Sequence, residues 1–144
     1  MIETISPTKF LDQLWEKYSK EDTFRAMYVN LHNNLMKSYV EDVVFKEFRF
    51  KKEMKNEILS DVRNTVYDLS KDDLNNLNFP ELSRCLLDIV RTSCEEYRLP
   101  DSRIDSIMKK LAKSLHTDYE NGWITAIKFV VICEYMNDYD DDEI

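Results

Sequence analysis

Histidine and cysteine are the residue types in this chain that could serve as base, nucleophile or metal ligand, but their spacing indicates none of these roles. His32 and His116 are the only histidines, and no ligand spacing surrounds either one. Cys85, Cys94 and Cys133 fit no metal-binding pattern, and each lies in an apolar stretch where free cysteine behaves as a small hydrophobe. We therefore expect structural histidines at or near the surface, cysteines in a core, and no catalytic residue, metal ion or cofactor.

Carboxylates are abundant, but the sequence singles out no pair of them for acid–base catalysis. Asp and Glu total 28 against 20 Lys and Arg, so the net charge is −8. This balance disfavours nucleic-acid binding, which needs a basic stripe along the phosphate backbone. Part of the excess is an acidic run over 138–143, which we expect to be a solvated tail beginning at about residue 137. The composition therefore predicts a non-enzymatic protein with protein partners.

Scarcity of glycine predicts the fold class. Gly122 is the only glycine, whereas the tight turns of a sheet and the phosphate-binding loops of nucleotide enzymes need several. A chain of 144 residues is long enough for one core, so we expect a single all-α domain over 1–144. The sequence shows no signal peptide and no membrane span, and its cysteines suit a reducing compartment, which together predict a cytoplasmic location.

Helix-start signals and apolar residues at intervals of three and four divide the chain into helical segments. Ser6-Pro7 predicts a first helix over about 7–19, and Thr23 is the expected cap of a second that runs to about Tyr39. A short aromatic segment over 41–50 predicts one or two helical turns, and a fourth helix follows through Leu69. We expect Asn78-Phe79-Pro80, Pro100 and the turn at 121–122 to open the remaining helices.

Two of these helix starts, taken together, resemble motifs of the Bcl-2 family. Asn121-Gly122-Trp123, followed by Ala126 and Phe129, resembles the Asn-Gly-Trp turn of the family's BH2 motif, and Asn78-Phe79 resembles the Asn-Trp opening of its BH1 motif. Phe79 and Trp123 are 44 residues apart, close to the interval that the family keeps between these aromatics. The likeness covers about residues 60 to 136. It looks most like a compact viral homologue without a membrane anchor.

The resemblance implies a bundle of about seven or eight helices around a central apolar helix, with a groove that captures the BH3 helix of pro-apoptotic proteins. Phe79, Glu81, Gly122 and Trp123 are the residues that belong to the motifs. The residues expected to line the groove are Phe45, Phe48, Val62, Val66, Leu69, Asn78, Leu82 and Arg84. Phe45 and Phe48 could equally be ordinary core residues.

One departure from the family pattern concerns charge. The family's groove uses an arginine to pair with an aspartate of the ligand, and the matching position here is Glu81. A like charge would repel that aspartate, while Arg84, one turn later, could replace the missing positive charge. We therefore expect binding with a narrow ligand range.

These expectations leave two functions open within the Bcl-2 resemblance, and a helical structural or enzymatic protein unrelated to that family as a third class. The first is an inhibitor of apoptosis that sequesters BH3 helices of pro-apoptotic Bcl-2 proteins. The second is a viral Bcl-2-like modulator of innate immune signalling that acts through surface contacts without BH3 binding. The sequence does not identify the preferred BH3 protein, and it leaves a homodimer open.

Overall fold

The computed structural model describes residues 7–119 and 130–137. Within these ranges the backbone is mostly helical and contains no strand, which confirms the predicted all-α class. Residues 130–137 are helical. The α-helices before them are α1 (Pro7–Tyr18), α2 (Asp22–Tyr39), α3 (Phe45–Glu47), α4 (Lys52–Asp72), α5 (Phe79–Glu96) and α6 (Asp101–Ser114). The expected total of seven or eight helices, the Bcl-2 arrangement and the single domain remain predictions.

Three short segments complete the described backbone. α2 continues without a break through a π-helical stretch, Val40–Val44, into α3, where the sequence pattern had predicted a boundary near Tyr39. A 3-10 turn, Leu74–Asn76, precedes α5, and a second π-helical stretch, Leu115–Tyr119, follows α6. No helix in the described part of the chain is long and apolar enough to cross a bilayer.

The start of α2 differs from its prediction. Thr23 was the expected cap, but the N-cap position belongs to Glu21, which has an extended backbone and makes no capping hydrogen bond through its side chain. The helix starts at Asp22, one residue before the expected cap. A carboxylate in the first turn suits the positive end of the helix dipole, so Asp22 can be part of the helix.

The helices pack in the order α2, α4, α5, α6, with α4 against both α2 and α5, and α6 against α5. α5 buries one face through Leu82, Leu86 and Val90. Arg84 and Arg91, on the opposite face, are exposed. α5 is therefore amphipathic and not enclosed on all sides as a central apolar helix would be, because its charged ridge needs contact with water.

An aromatic cluster joins the two ends of the described chain. Trp15 of α1 packs edge-on against Phe24 and Tyr28 of α2, with ring centroids 5.6 and 4.8 Å away. Tyr135, in the 130–137 helix, packs against Tyr18 at 5.1 Å and Phe24 at 5.3 Å. Such edge-to-face pairs add to the burial of large apolar area. They fix the 130–137 helix against α1 and α2.

His32 lies inside this core, although the sequence had predicted a surface or partly buried position. Its side chain is 0% exposed, and neither ring nitrogen has a hydrogen-bond partner. The ring packs edge-on against Tyr28 with centroids 4.5 Å apart. Burial lowers the pKa of His32 to about 4 and raises the pKa of Tyr28 above its usual value. Both side chains are therefore neutral in the folded protein near pH 7.

Stability should fall on acidification because of this histidine. The folded state holds His32 neutral down to about pH 4, whereas the unfolded chain takes up a proton near pH 6.5. The contribution of neutral His32 to the free energy of unfolding is complete above pH 6.5 and is lost as the pH falls towards 4. Between pH 7 and pH 5 the free energy of unfolding falls by about 2 kcal/mol. Urea unfolding of the wild type and of His32→Leu at both pH values measures it.

His32→Leu should remove this part of the pH dependence, whatever its effect on stability at pH 7. His116→Gln is the matched control, since His116 is exposed, and it should keep the wild-type pH dependence. A His32→Leu variant that loses as much stability as the wild type between pH 7 and pH 5 would contradict the assignment.

The turn from α5 to α6 contains a strained residue. Arg98 has φ of 56°, in the left-handed region. Its amide donates to the Glu95 carbonyl at 3.0 Å, and the amide of Leu99 donates to the Cys94 carbonyl at 3.1 Å. These bonds end α5 in the way that a glycine usually does. The side chain of Arg98 makes that conformation costly.

Arg98→Gly should therefore stabilise the fold. Relief of about 1–2 kcal/mol of strain outweighs the roughly 0.4–1 kcal/mol of extra freedom that glycine gives the unfolded chain, which leaves a gain of about 0.5–1 kcal/mol. Arg98→Ala is the control, because it removes the charge but keeps Cβ. Thermal unfolding should give Arg98→Gly a higher midpoint temperature than Arg98→Ala. The reverse order would show that the backbone at Arg98 is not strained.

Candidate partner-binding site on α4 and α5

The seam between α4 and α5 is the candidate binding site. Val62 and Val66 are one turn apart on α4, and Leu82 and Leu86 are one turn apart on α5, so each helix presents an apolar row to the other. Met36 of α2 closes the bottom of the seam. A cavity of only about 10 Å³ remains between the rows. That is at the lower limit for a single water molecule, about 10–15 Å³.

Three of the residues predicted to line a groove come together in this seam. Val62, Val66 and Leu82 are buried and in contact with one core, while Leu69 is partly buried and packs against it further along α4. The outer edge of the seam is formed by Thr65, Cys85 and Ile89, which are partly exposed. The seam is therefore closed, and its accessible strip consists of different residues from those that sequence spacing had indicated.

The two predicted aromatic residues lie elsewhere. Phe48 is buried and lines a separate groove beside α6, so for this residue the core interpretation is the better one. Phe45 is partly buried, packs edge-on against Phe50 with centroids 6.3 Å apart, and has the Lys55 ammonium 5.6 Å from its ring centroid. Neither phenylalanine lines the cavity between α4 and α5.

Asn78 caps the helix that carries the site. Its side-chain oxygen accepts a hydrogen bond from the Glu81 amide at 3.0 Å, and its amide nitrogen donates to the Asn75 carbonyl at 2.8 Å. Phe79 and Pro80 follow in the first turn of α5, and Phe79 is partly buried against the core. The sequence had indicated that Asn78-Phe79-Pro80 opens a helix, and Asn78 occupies its N-cap position.

Glu81 and Arg84 form an ion pair on the surface of α5, outside the seam and next to Cys85, which lies at its outer edge. A guanidinium nitrogen of Arg84 donates to a carboxylate oxygen of Glu81, one turn earlier on the helix. The Arg84 side chain is 65% exposed and that of Glu81 is 34% exposed. Arg84 is thus accessible to a partner, but its charge is already partly neutralised by Glu81, which stands where the family has an arginine.

Cys85 lies beside this pair, with its sulfur 3.7 Å from the Arg84 guanidinium. Burial raises the pKa of the Cys85 thiol, and the charges of Glu81 and Asp88 add to the rise, although Arg84 opposes it. Burial also raises the pKa of Cys94. Both groups are therefore thiols at neutral pH and poor nucleophiles. Among residues 7–119 and 130–137, no group of His, Cys, Asp and Glu is placed to hold a metal ion.

A carboxylate cluster at one end of the seam was missed by the sequence reasoning. A hydrogen bond with Glu57 of α4 raises the pKa of Glu96 of α5, and the charge of Glu57 adds to this effect. Burial and the charge of Glu57 raise the pKa of Asp61. The four-residue spacing of Glu53, Glu57 and Asp61 could have shown that they share one face of α4. Nothing in the sequence placed Glu96 beside them.

The second motif lies outside the described residues. Gly122 and Trp123, with Asn121 before them, are not among residues 7–119 and 130–137. The acidic run over 138–143 lies outside them as well. Of the two motifs, the described residues therefore include only Asn78-Phe79.

Comparison with protein-family models found no match to this chain. Comparisons with curated proteins and with solved structures found none either. The site is therefore assessed on its own residues.

Loss of the Asn78 cap should destabilise the site. Asn78→Ala removes the acceptor for the Glu81 amide and should cost about 1 kcal/mol, whereas Asn78→Asp keeps an acceptor and should cost little. Urea unfolding of the two variants measures the difference. Equal stability of Asn78→Ala and Asn78→Asp would mean that the cap contributes nothing.

Proposed function

We propose that this protein inhibits apoptosis by sequestering the BH3 helix of pro-apoptotic Bcl-2 proteins along the α4–α5 seam. The observation that carries the proposal is the apolar lining contributed by α2, α4 and α5, with the exposed Arg84 outside it, beside Cys85. An amphipathic helix binds such a site by laying apolar side chains between two helices of its receptor. The Asn78-Phe79 helix start, which resembles the BH1 motif, gives the proposal its family.

The closed seam adds a cost to this binding. A cavity of about 10 Å³ holds no side chain of a ligand, so α4 and α5 must move apart before apolar residues can enter. A site that is open in only a fraction of molecules has its affinity reduced by that fraction. Ligands with strong apolar anchors overcome this cost, whereas ligands with weaker anchors do not. The closed seam therefore supports a narrow range of BH3 ligands.

Charge narrows the range further. An aspartate on the ligand must compete with Glu81 for Arg84, since these two already form an ion pair. At one end of the seam, Glu57, Asp61 and Glu96 present carboxylates. A favoured BH3 helix therefore carries its acid near Arg84 and basic residues near the carboxylate cluster, because both arrangements give electrostatic complementarity.

Titration of fluorescent BH3 peptides against the purified protein tests this proposal. We expect submicromolar binding of a few peptides, about tenfold weaker binding to Arg84→Glu and tighter binding to Glu81→Gln, which frees Arg84. Lys20→Glu is the matched control, because it makes the same charge change at an exposed site between α1 and α2. Unchanged affinity for every peptide in Arg84→Glu would disprove the role of Arg84.

A second candidate is a modulator of innate immune signalling that acts through surface contacts and binds no BH3 helix. The observation that favours it is the burial of Val62, Val66 and Leu82, which leaves no open groove between α4 and α5. A folded protein that binds no peptide of the BH3 panel would support this candidate and reject the first.

A further inference from the structure

The C-terminal half of α6 is basic in a chain that is acidic as a whole. The stretch over 106–117 contains no Asp or Glu, although the net charge of the whole chain is −8. Lys109, Lys110 and Lys113 are all exposed. In the described part of the chain, no carboxylate forms an ion pair with any of the three. Lys113, in the last turn, complements the helix dipole. Lys109 and Lys110 lie further from that end, so the dipole does not account for them.

A groove with an apolar floor lies on one side of this basic ridge. The α3–α6 groove, of about 400 Å³, has Val44, Phe48 and Leu111 on its floor and Lys110 and Lys113 on its rim. The three floor residues are buried. Glu47 is the carboxylate in its lining.

A second groove lies on the other side of the ridge. The α5–α6 groove, of about 390 Å³, is lined by Leu87, Met108 and Ala112, with Arg84, Arg91 and Asp88 around them. Cations therefore exceed carboxylates around both grooves. The helix between them is about 10 Å across.

We propose that this face of α6 docks an acidic segment of a partner protein. The segment crosses α6 in a polyproline II conformation, places one apolar side chain in each groove, and sets carboxylates over Lys109 and Lys113. Since a polyproline II chain makes one turn in three residues and rises about 3.1 Å per residue, two apolar residues three positions apart point to the same side and lie about 9 Å apart, close to the width of the helix. Acidic residues at the two positions between them then point in the two directions along α6, towards Lys109 and Lys113. The surface contains none of the residues that line the α4–α5 seam, although Arg84 borders both, and it does not depend on the function of the seam.

The recessed floor distinguishes a peptide from a membrane. A bilayer surface binds proteins through exposed apolar side chains together with basic ones. Here Val44, Phe48 and Leu111 lie below the lysine rim and are buried. A flat surface contacts only the rim, whereas a side chain on a peptide can enter the groove.

Fluorescence anisotropy with short synthetic peptides tests the docking face. The probe has Leu-Asp-Glu-Leu at its centre, and the controls have Ala-Asp-Glu-Ala and Leu-Lys-Lys-Leu there. We expect the probe alone to bind, with an affinity that falls as salt is added. Lys109→Glu with Lys113→Glu should weaken binding by about tenfold or more. Lys20→Glu with Lys52→Glu, which makes the same change of charge on other exposed lysines, should have a much smaller effect.

Three results would overturn the proposal. The first is no binding of the probe by a protein that is folded by circular dichroism. The second is an equal loss of affinity for the probe in the two double variants, which would mean that net charge alone accounts for binding. The third is binding of anionic phosphatidylserine vesicles without binding of the probe, which would assign the face to a membrane. Since the α6 variants leave Arg84 and the seam intact, BH3 titration of the same proteins separates this proposal from the proposed function.

Discussion

Burial of one face of α2 is the constraint on which the rest of the structure depends. Phe24 and Tyr28 join α2 to α1 and to the 130–137 helix, and Met36 reaches the seam between α4 and α5. Between them His32 is fully buried without a hydrogen-bond partner. An unpaired buried polar group costs about 1–3 kcal/mol, so the surrounding apolar and aromatic packing must outweigh it. The same packing keeps the imidazole neutral, which couples the cohesion of the bundle to pH.

The position of α4 between α2 and α5 gives its apolar row two tasks. Val62 and Val66 contribute to the core that holds three helices together, and they are also the residues that a helical ligand would need to reach. Opening the seam therefore removes packing that stabilises the fold. Affinity for a helix and stability of the free protein are opposed here, because dense interiors do not admit a side chain without rearrangement. A closed seam of this kind favours selective binding over broad binding.

Charge is distributed unevenly over the described surface, and the pattern separates two faces. Glu57, Asp61 and Glu96 place carboxylates at one end of the seam, with the paired Glu81 and Arg84 outside it, beside Cys85. The C-terminal half of α6, with Lys109, Lys110 and Lys113, is basic. A net charge of −8 conceals this division. Partners of opposite sign can therefore approach different faces of the same small bundle, because surface charges act over about a Debye length, roughly 8–10 Å.

The sequence alone determined the helical class, most helix starts and the capping of α5. Scarce glycine, apolar residues at intervals of three and four, and Asn78 ahead of Phe79-Pro80 are local signals, and local signals suffice for local structure. They also identified Val62, Val66 and Leu82 as one apolar set. Tertiary packing alone decided that this set is buried in a closed seam, that His32 lies in the core, and that Glu96 meets Glu57. These facts depend on which helices become neighbours, and periodicity within one helix carries no information about the helix that will cover it.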